Sequence, residues 1–267
     1  MSRRLARLGR VLTETRLLGW ALVAAALALW EAAAKLGWIG GQILPPLSTI
    51  AAGWRDEAAH GALATQLLVT LRHMVQGYAL GALLGVGLGV ATGQSRILWR
   101  LFEPTLEILR PVPISALVPL MILFLGIDDP LKISVVAIAT FFPIFMNTFA
   151  GVRAVSQTMH DTGRTFGVSG VRATMPIIIP AAAPMIFVGL RYAVSVGLVV
   201  ALVSEMIAGN DGMGYFVIRA QQNLSVIQLF IGVFTLAFLG YGLNFLFLKA
   251  EAAVLPWQAG GARRGSG

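Results

Sequence analysis

Six runs of apolar residues divide this chain, near 17–36, 65–92, 102–125, 131–150, 175–205 and 225–248. Each is long enough to cross about 30 Å of hydrocarbon as a helix. That leaves few folds open. Inside a bilayer every backbone N–H and C=O must find its partner within the protein, so only helices and closed barrels span it. A barrel needs alternating strands of roughly ten residues, and the runs show no such alternation. The expected fold is therefore all-α, a polytopic membrane protein with six transmembrane helices. Composition agrees, because only 12% of residues are charged and 57% are hydrophobic, whereas soluble domains carry about 25% charge.

The basic residues set the expected orientation. Arg3, Arg4, Arg7, Arg10, Arg16, Arg96, Arg100, Arg153, Arg164, Arg172, Lys249, Arg263 and Arg264 fall on one side of this topology, and Lys35, Arg55, Lys132 and Arg219 on the other. Cytoplasmic loops are rich in Lys and Arg, so both termini and the 151–175 loop are expected to be cytoplasmic. The reading is a basic tail over 1–16, a membrane domain over 17–248 and a cytoplasmic tail over 249–267, Gly-rich and disordered from 259. We take the run at 17–36 as a retained span. A signal peptide is the alternative, since a basic start, Leu17–Trp30 and small residues at Ala32–Ala34 also fit that pattern. Residues 38–64 form an outer segment that is either an interfacial helix or a solvated loop. The net charge of +8 follows topology rather than one face, so no nucleic-acid partner is expected.

Three features bear on mechanism. Gly77, Gly81, Gly85, Gly89 and Gly93 recur every four residues in the second span. This strip lets another helix approach closely, either for bundle packing or as a sliding face. Pro104, Pro111, Pro113 and Pro119 interrupt the third span, Pro143 the fourth, and Pro176, Pro180 and Pro184 the start of the fifth. Each removes a helical donor and invites a bend. Arg72, Arg110, Arg191 and Glu205 lie within or at the ends of spans. A charge there costs about 2.5–3.5 kcal/mol, so these residues should face protein or water, as structural ion pairs or along a solute path. Arg191 and Glu205 are about four turns apart and cannot pair on one straight helix.

Catalysis is not indicated. His60, His73 and His160 make no ligand pair at i, i+4, and His73 reads as a packing or interfacial residue. There is no metal motif, no cysteine and no G-x-S-x-G elbow. None of Lys35, Lys132 and Lys249 follows a glycine, so the chain has no P-loop.

The polar, basic stretch between the fourth and fifth runs is too long for a simple connector. It reads Asp161-Thr-Gly-Arg-Thr-Phe-Gly167, then Val-Ser-Gly-Val-Arg-Ala-Thr-Met-Pro-Ile177-Ile-Ile179-Pro180. It resembles the coupling loop of permease subunits of bacterial ABC importers, whose signature is E-A-A, three residues, G, nine residues, then I-x-L-P. Asp161 stands for the Glu, Thr162 and Gly163 for the alanines, and Gly167, Ile177, Ile179 and Pro180 fall in register. Further matches in order include Leu109-Arg-Pro-Val-Pro113, Gly126-Ile-Asp-Asp-Pro-Leu-Lys132, Phe141-Phe-Pro, Gly189-Leu-Arg191, Ser204-Glu205-Met206 and Gly212-Met-Gly-Tyr215. Together they are closest to the nitrate, sulfonate and taurine branch.

The resemblance implies a type I importer permease (MetI-like) fold in the bacterial inner membrane. It implies a second permease copy as a homodimer, cytoplasmic ABC ATPase subunits and an external solute-binding protein. ATP and Mg would belong to the ATPase subunits, and this chain would bind no cofactor. The coupling role falls on Asp161, Thr162, Gly163, Arg164, Phe166, Gly167 and Arg172, with Gly167 turning tightly between short helices. The solute would be a small organic or inorganic anion. A secondary transporter or a membrane scaffold is the alternative. The first needs buried coupling groups and inverted repeats, and no convincing repeat relates the two halves.

Overall fold

A computed structural model describes residues 2–38, 43–168 and 170–256. Arg263, Arg264 and the expected disordered tail from 259 lie outside the described residues, as does the side chain of His160. Among the described residues all regular structure is helical. The helices are α1 (Ser2–Lys35), α2 (Leu47–His60), α3 (Leu63–Gln94), α4 (Arg96–Leu109), α5 (Ile114–Leu125), α6 (Asp129–Arg153), α7 (Gln157–Thr165), α8 (Ile179–Ala208), α9 (Met213–Gln222) and α10 (Val226–Val254). A 3₁₀ turn at Gly170–Ala173 and a π turn at Thr174–Ile178 lead into α8.

Five helices are long and apolar enough to cross a bilayer alone, and a bent pair can supply the sixth. That pair corrects the expected third span over 102–125, which is not one helix. α4 and α5 meet at 97°, where Pro111 and Pro113 withhold two backbone donors. Pro176 falls in the π turn and Pro180 in the first turn of α8, while the remaining four of those prolines do not interrupt their helices. α4, α5, α6 and α8 run on through Pro104, Pro119, Pro143 and Pro184.

The chain divides into two compact units, Met1–Ala62 with Arg219–Phe234, and Leu63–Ile218 with Thr235–Gly267. In the first, the outer segment is a helix, α2. Its N-terminal turn is capped from α1, because the Glu31 carboxylate accepts Ser48 N–H at 3.1 Å and Ser48 O–H at 2.7 Å. Lys35 pairs with the same carboxylate at 2.7 Å. The Trp30 indole N–H donates to the Pro45 carbonyl, and its ring meets Phe230 edge-on at 5.5 Å.

In the second unit α6 packs between α3 and α8. The glycine strip of α3 lies along α6 residue for residue: Gly77 on Val136, Gly81 on Thr140, Gly85 on Ile144, Gly89 on Thr148 and Gly93 on Val152. A Cβ on Gly77 would lie 2.7 Å from the Ile133 carbonyl oxygen, and one on Gly89 would lie 3.0 Å from that of Phe145. Without a Cβ the two backbones touch, which is how small residues join helices in lipid. α8 closes on α6 in the same way, with Gly189 over the Pro143 carbonyl and Gly151 of α6 under Ala182 and Met185. Val90, Val152, Ala173, Ile178, Ala182 and Ile186 form the core at one end of this seam. Val118, Leu131, Val135 and Ala208 form it at the other. Trp99 of α4 stacks on Phe149 of α6 at 4.0 Å.

Candidate functional site

Two clusters of polar residues stand out, one at each end of the α3–α6–α8 seam. The first is the segment between α6 and α8. α7 satisfies its own polar groups. The Asp161 carboxylate accepts from Gln157 Nε2 and Arg164 Nη1, both at 3.2 Å, Thr162 O–H donates to the Thr158 carbonyl, and Thr165 O–H to that of Asp161. The helix ends in a Schellman turn. Gly167 adopts φ +74, its N–H donates to the Arg164 carbonyl at 3.0 Å, and Val168 N–H donates to that of Gly163 at 2.8 Å. The turn anchors the segment on one side through Val168, which packs on the Val152–Ile178 core.

Gly163 explains a departure from the motif. It is buried, and a Cβ there would lie 2.6 Å from Ile177 Cδ1 and 2.9 Å from the Val168 carbonyl oxygen. Alanine at this position would push α7 off Ile177. Thr174 O–H donates to Gln94 Oε1 at 2.9 Å, tying the segment to the end of α3.

The satisfied backbone leaves apolar groups outside. Phe166, the last residue before the turn, is 79% exposed, and Met175 is 76% exposed. Met159, Thr162, Pro176, Ile177, Pro180 and Pro184 line a concavity of about 780 Å³ beside them. Of the residues picked from sequence, Asp161, Thr162, Arg164, Phe166, Gly167 and Arg172 are exposed here, and Gly163 holds the segment down. Sequence reasoning missed Met159 and Met175. The signal was two methionines set among polar neighbours.

The second cluster lies where α3 begins, α6 begins and α8 ends. Glu205 is fully buried. Its carboxylate accepts from Thr70 O–H at 2.8 Å and from the backbone N–H of Gly214, in the first turn of α9, at 2.9 Å. The His73 Nδ1 lies 2.9 Å from Glu205 Oε1, and Nε2 lies 3.0 Å from Asp129 Oδ1. Arg72 pairs with the other oxygen of Asp129. Lys132, 2% exposed, reaches Asp211 at 3.3 Å. The loop between α8 and α9 folds over the carboxylate: Met213 N–H donates to Thr70 Oγ1 at 2.7 Å, and Gly212 N–H donates to Gln66 Oε1. Gly212, at φ +95, leaves no room for a side chain, because a Cβ there would fall on the Glu205 carboxylate.

The structure therefore brings Arg72 and Glu205 into one network, through His73 and Asp129. It does not bring in Arg110, which caps the α4 end at the bend, or Arg191, which is exposed on α8. His73 bridges two carboxylates rather than merely packing. His73, Asp129 and Asp211 approach within 4.8 Å of one another. Both ring nitrogens already face carboxylates there, and the Lys132 ammonium already sits on Asp211.

Residues 77–256 match the model of the family described as binding-protein-dependent transport system inner membrane component. A chain of Escherichia coli (strain K12) named as an aliphatic sulfonates transport permease, SsuC, is 35% identical over 226 residues, 84% of this chain and 86% of that one. The taurine transport system permease TauC of the same organism is 30% identical, covering 88% of each chain. A solved structure of an amino acid ABC transporter with histidines matches at a TM-score of 0.58 and 19% identity, over 75% of this chain and 95% of that one, and so shares the fold. With five helices able to span a bilayer, a bent pair that can supply the sixth, and these matches, the chain belongs to the inner-membrane permease family of binding-protein-dependent ABC transport systems.

Proposed function

We propose that α7 and the turn after it dock a cytoplasmic ABC ATPase subunit, and that this chain, paired with a second copy, carries a small anion inward. The observation that carries the docking is Phe166: a large apolar side chain, 79% exposed, on a turn fixed by two backbone hydrogen bonds and a glycine at φ +74. A rigid aromatic beside an apolar concavity is what a partner's pocket recognises. Arg164 and Arg172 flank it and can meet carboxylates or helix C-termini. The excess of Lys and Arg on this side supports a cytoplasmic position for the segment and both termini.

Relatives named for sulfonates, taurine and nitrate support an anionic solute. Exposed Arg191, in the middle of the long apolar α8, would be costly against lipid. It fits a helix face turned to a second subunit or a watery path. In the proposed cycle, ATP and Mg bound on the ATPase subunits draw the paired α7 segments together, and the α3–α6–α8 bundles rock so that the path opens outward. The external binding protein then delivers solute, and hydrolysis restores the inward state.

The test is a reconstituted complex with Gly167→Val. Valine resists φ > 0, so the turn should rebuild, and solute-stimulated, vanadate-sensitive ATPase should fall at least tenfold while membrane insertion is unchanged. Normal coupled uptake by this variant would remove α7 from the docking role.

A further inference from the structure

We propose that His73 and Asp129 are positioning residues of a proton-dependent latch that holds the outer end of the permease closed. This rests on the orientation given above, which puts the Glu205 cluster on the external side. The segment 209–214 is fastened there to all three seam helices. Gln66 and Thr70 of α3 hold Gly212 and Met213, Lys132 of α6 holds Asp211, and Glu205 of α8 holds Gly214. An outward-opening movement that parts these helices must release these contacts.

His73 reaches this fastening through Glu205, the acceptor of Gly214 N–H, and its own geometry demands an extra proton. A carboxylate oxygen lies 2.9 Å from one ring nitrogen and 3.0 Å from the other. A neutral imidazole has a single N–H, so it can satisfy one carboxylate and must turn a lone pair on the second. Only with one more proton, on the ring or on a carboxyl, are both bonds made. The groups facing the ring are Arg72 and Thr70 on its own helix, Asp129 and Lys132 from α6, Glu205 from α8 and Asp211 from the α8–α9 segment. Asp129 is half-exposed while His73 and Glu205 are fully buried, so Asp129 is the way out for that proton. Loss of the proton as external pH rises breaks one charge-assisted bond and loosens the hold on 209–214. Asp129→Asn removes the requirement, because the amide can donate to Nε2 of a neutral ring whose Nδ1–H still serves Glu205.

The chain has no cysteine, so Met213→Cys supplies a single thiol at a fully buried position of this segment. The experiment is labelling of Met213→Cys by a membrane-impermeant maleimide from outside, in the assembled permease, from about pH 5.5 to 9, across the range of histidine titration. Wild-type and Asp129→Asn backgrounds are compared at each pH, so that the chemistry of the thiol cancels. The expected result is a ratio of labelling rates that climbs roughly tenfold with pH, the worth of one hydrogen bond to a charged group. A flat ratio overturns the latch. Should the Asn variant not assemble, the same rate is referred to a thiol at exposed Asp56 (Asp56→Cys), with the same two readings. If Asp56→Cys itself is unreactive from outside, the orientation under Proposed function fails, and the outer assignment with it.

Discussion

At one end of the α3–α6–α8 seam Glu205 is wholly buried, and two elements, α3 and α9, supply its donors. At the other, Phe166 is 79% exposed on a turn whose backbone bonds are complete. Both ends use glycine, in opposite ways. Gly212 and Gly214 give way so that backbone can close over a carboxylate, whereas Gly167 turns the chain so that an aromatic is pushed out. One end spends its hydrogen bonds holding itself together, and the other satisfies its polar groups locally and presents its apolar ones. Energetic damage at the first end should therefore appear as lost stability, and at the second as lost partnership.

The sharpest way to break that contrast is Glu205→Ala. It leaves Thr70, His73 and the Gly214 N–H without their acceptor, and removing one partner of a buried charged pair costs about 3–5 kcal/mol. The apparent Tm of the purified protein should drop by on the order of 10 °C. Glu205→Gln keeps an acceptor for Gly214 and should recover most of it. Equal melting of wild type and Glu205→Ala would mean that this end carries no stability. At the other end Phe166→Ala should leave the Tm unchanged, because surface truncations stay within about 0.5 kcal/mol. It should weaken binding of the ATPase subunits by about 2 kcal/mol or more, roughly thirtyfold in Kd, as read by titrating them onto the reconstituted permease.

The two ends also differ in how far the sequence revealed them. Phe166, Gly167 and Arg164 stand within seven residues of Asp161, so spacing alone places them on one short element. Glu205 and His73 are 132 positions apart, and Asp129 is 56 from His73. Nothing local marks them as neighbours. What the sequence does hold is the cost of a buried acid, which demands a partner, and the glycine strip, which demands a helix. It cannot say which helix. The α3–α6 register that answers both questions depends on tertiary packing. The same limit explains the third span, where four prolines were visible but only Pro111 and Pro113 fall where the helix breaks.

Gly81→Ala tests whether that register couples one end to the other. The added methyl would lie 2.7 Å from the Ala137 carbonyl oxygen and strike Thr140 Oγ1, so the helices must part. Overpacking of this kind costs about 1–3 kcal/mol. The expectation is a lowered Tm together with weaker coupling of ATPase to solute, without loss of ATPase binding. Unchanged coupling would mean that the ends act independently.

The smallest effect belongs midway along the seam. Thr148 of α6 is fully buried against Gly89, and its hydroxyl is the one buried side-chain polar group without a hydrogen-bond partner among the described residues. Thr140, two turns away on the same face, donates to the Val136 carbonyl instead. An unsatisfied hydroxyl in an apolar seam costs about 1–3 kcal/mol, and replacing it with a group of the same shape returns part of that. Valine matches threonine in shape and holds its rotamer well in a helix. Thr148→Val should therefore leave the Tm unchanged or raise it by about 1 kcal/mol in stability terms, while Thr140→Val should bring no gain, since its hydroxyl is already paired. If Thr148→Val destabilises, the hydroxyl makes a hydrogen bond within the seam, and the middle of the seam belongs with the buried end, where polar groups hold helices together.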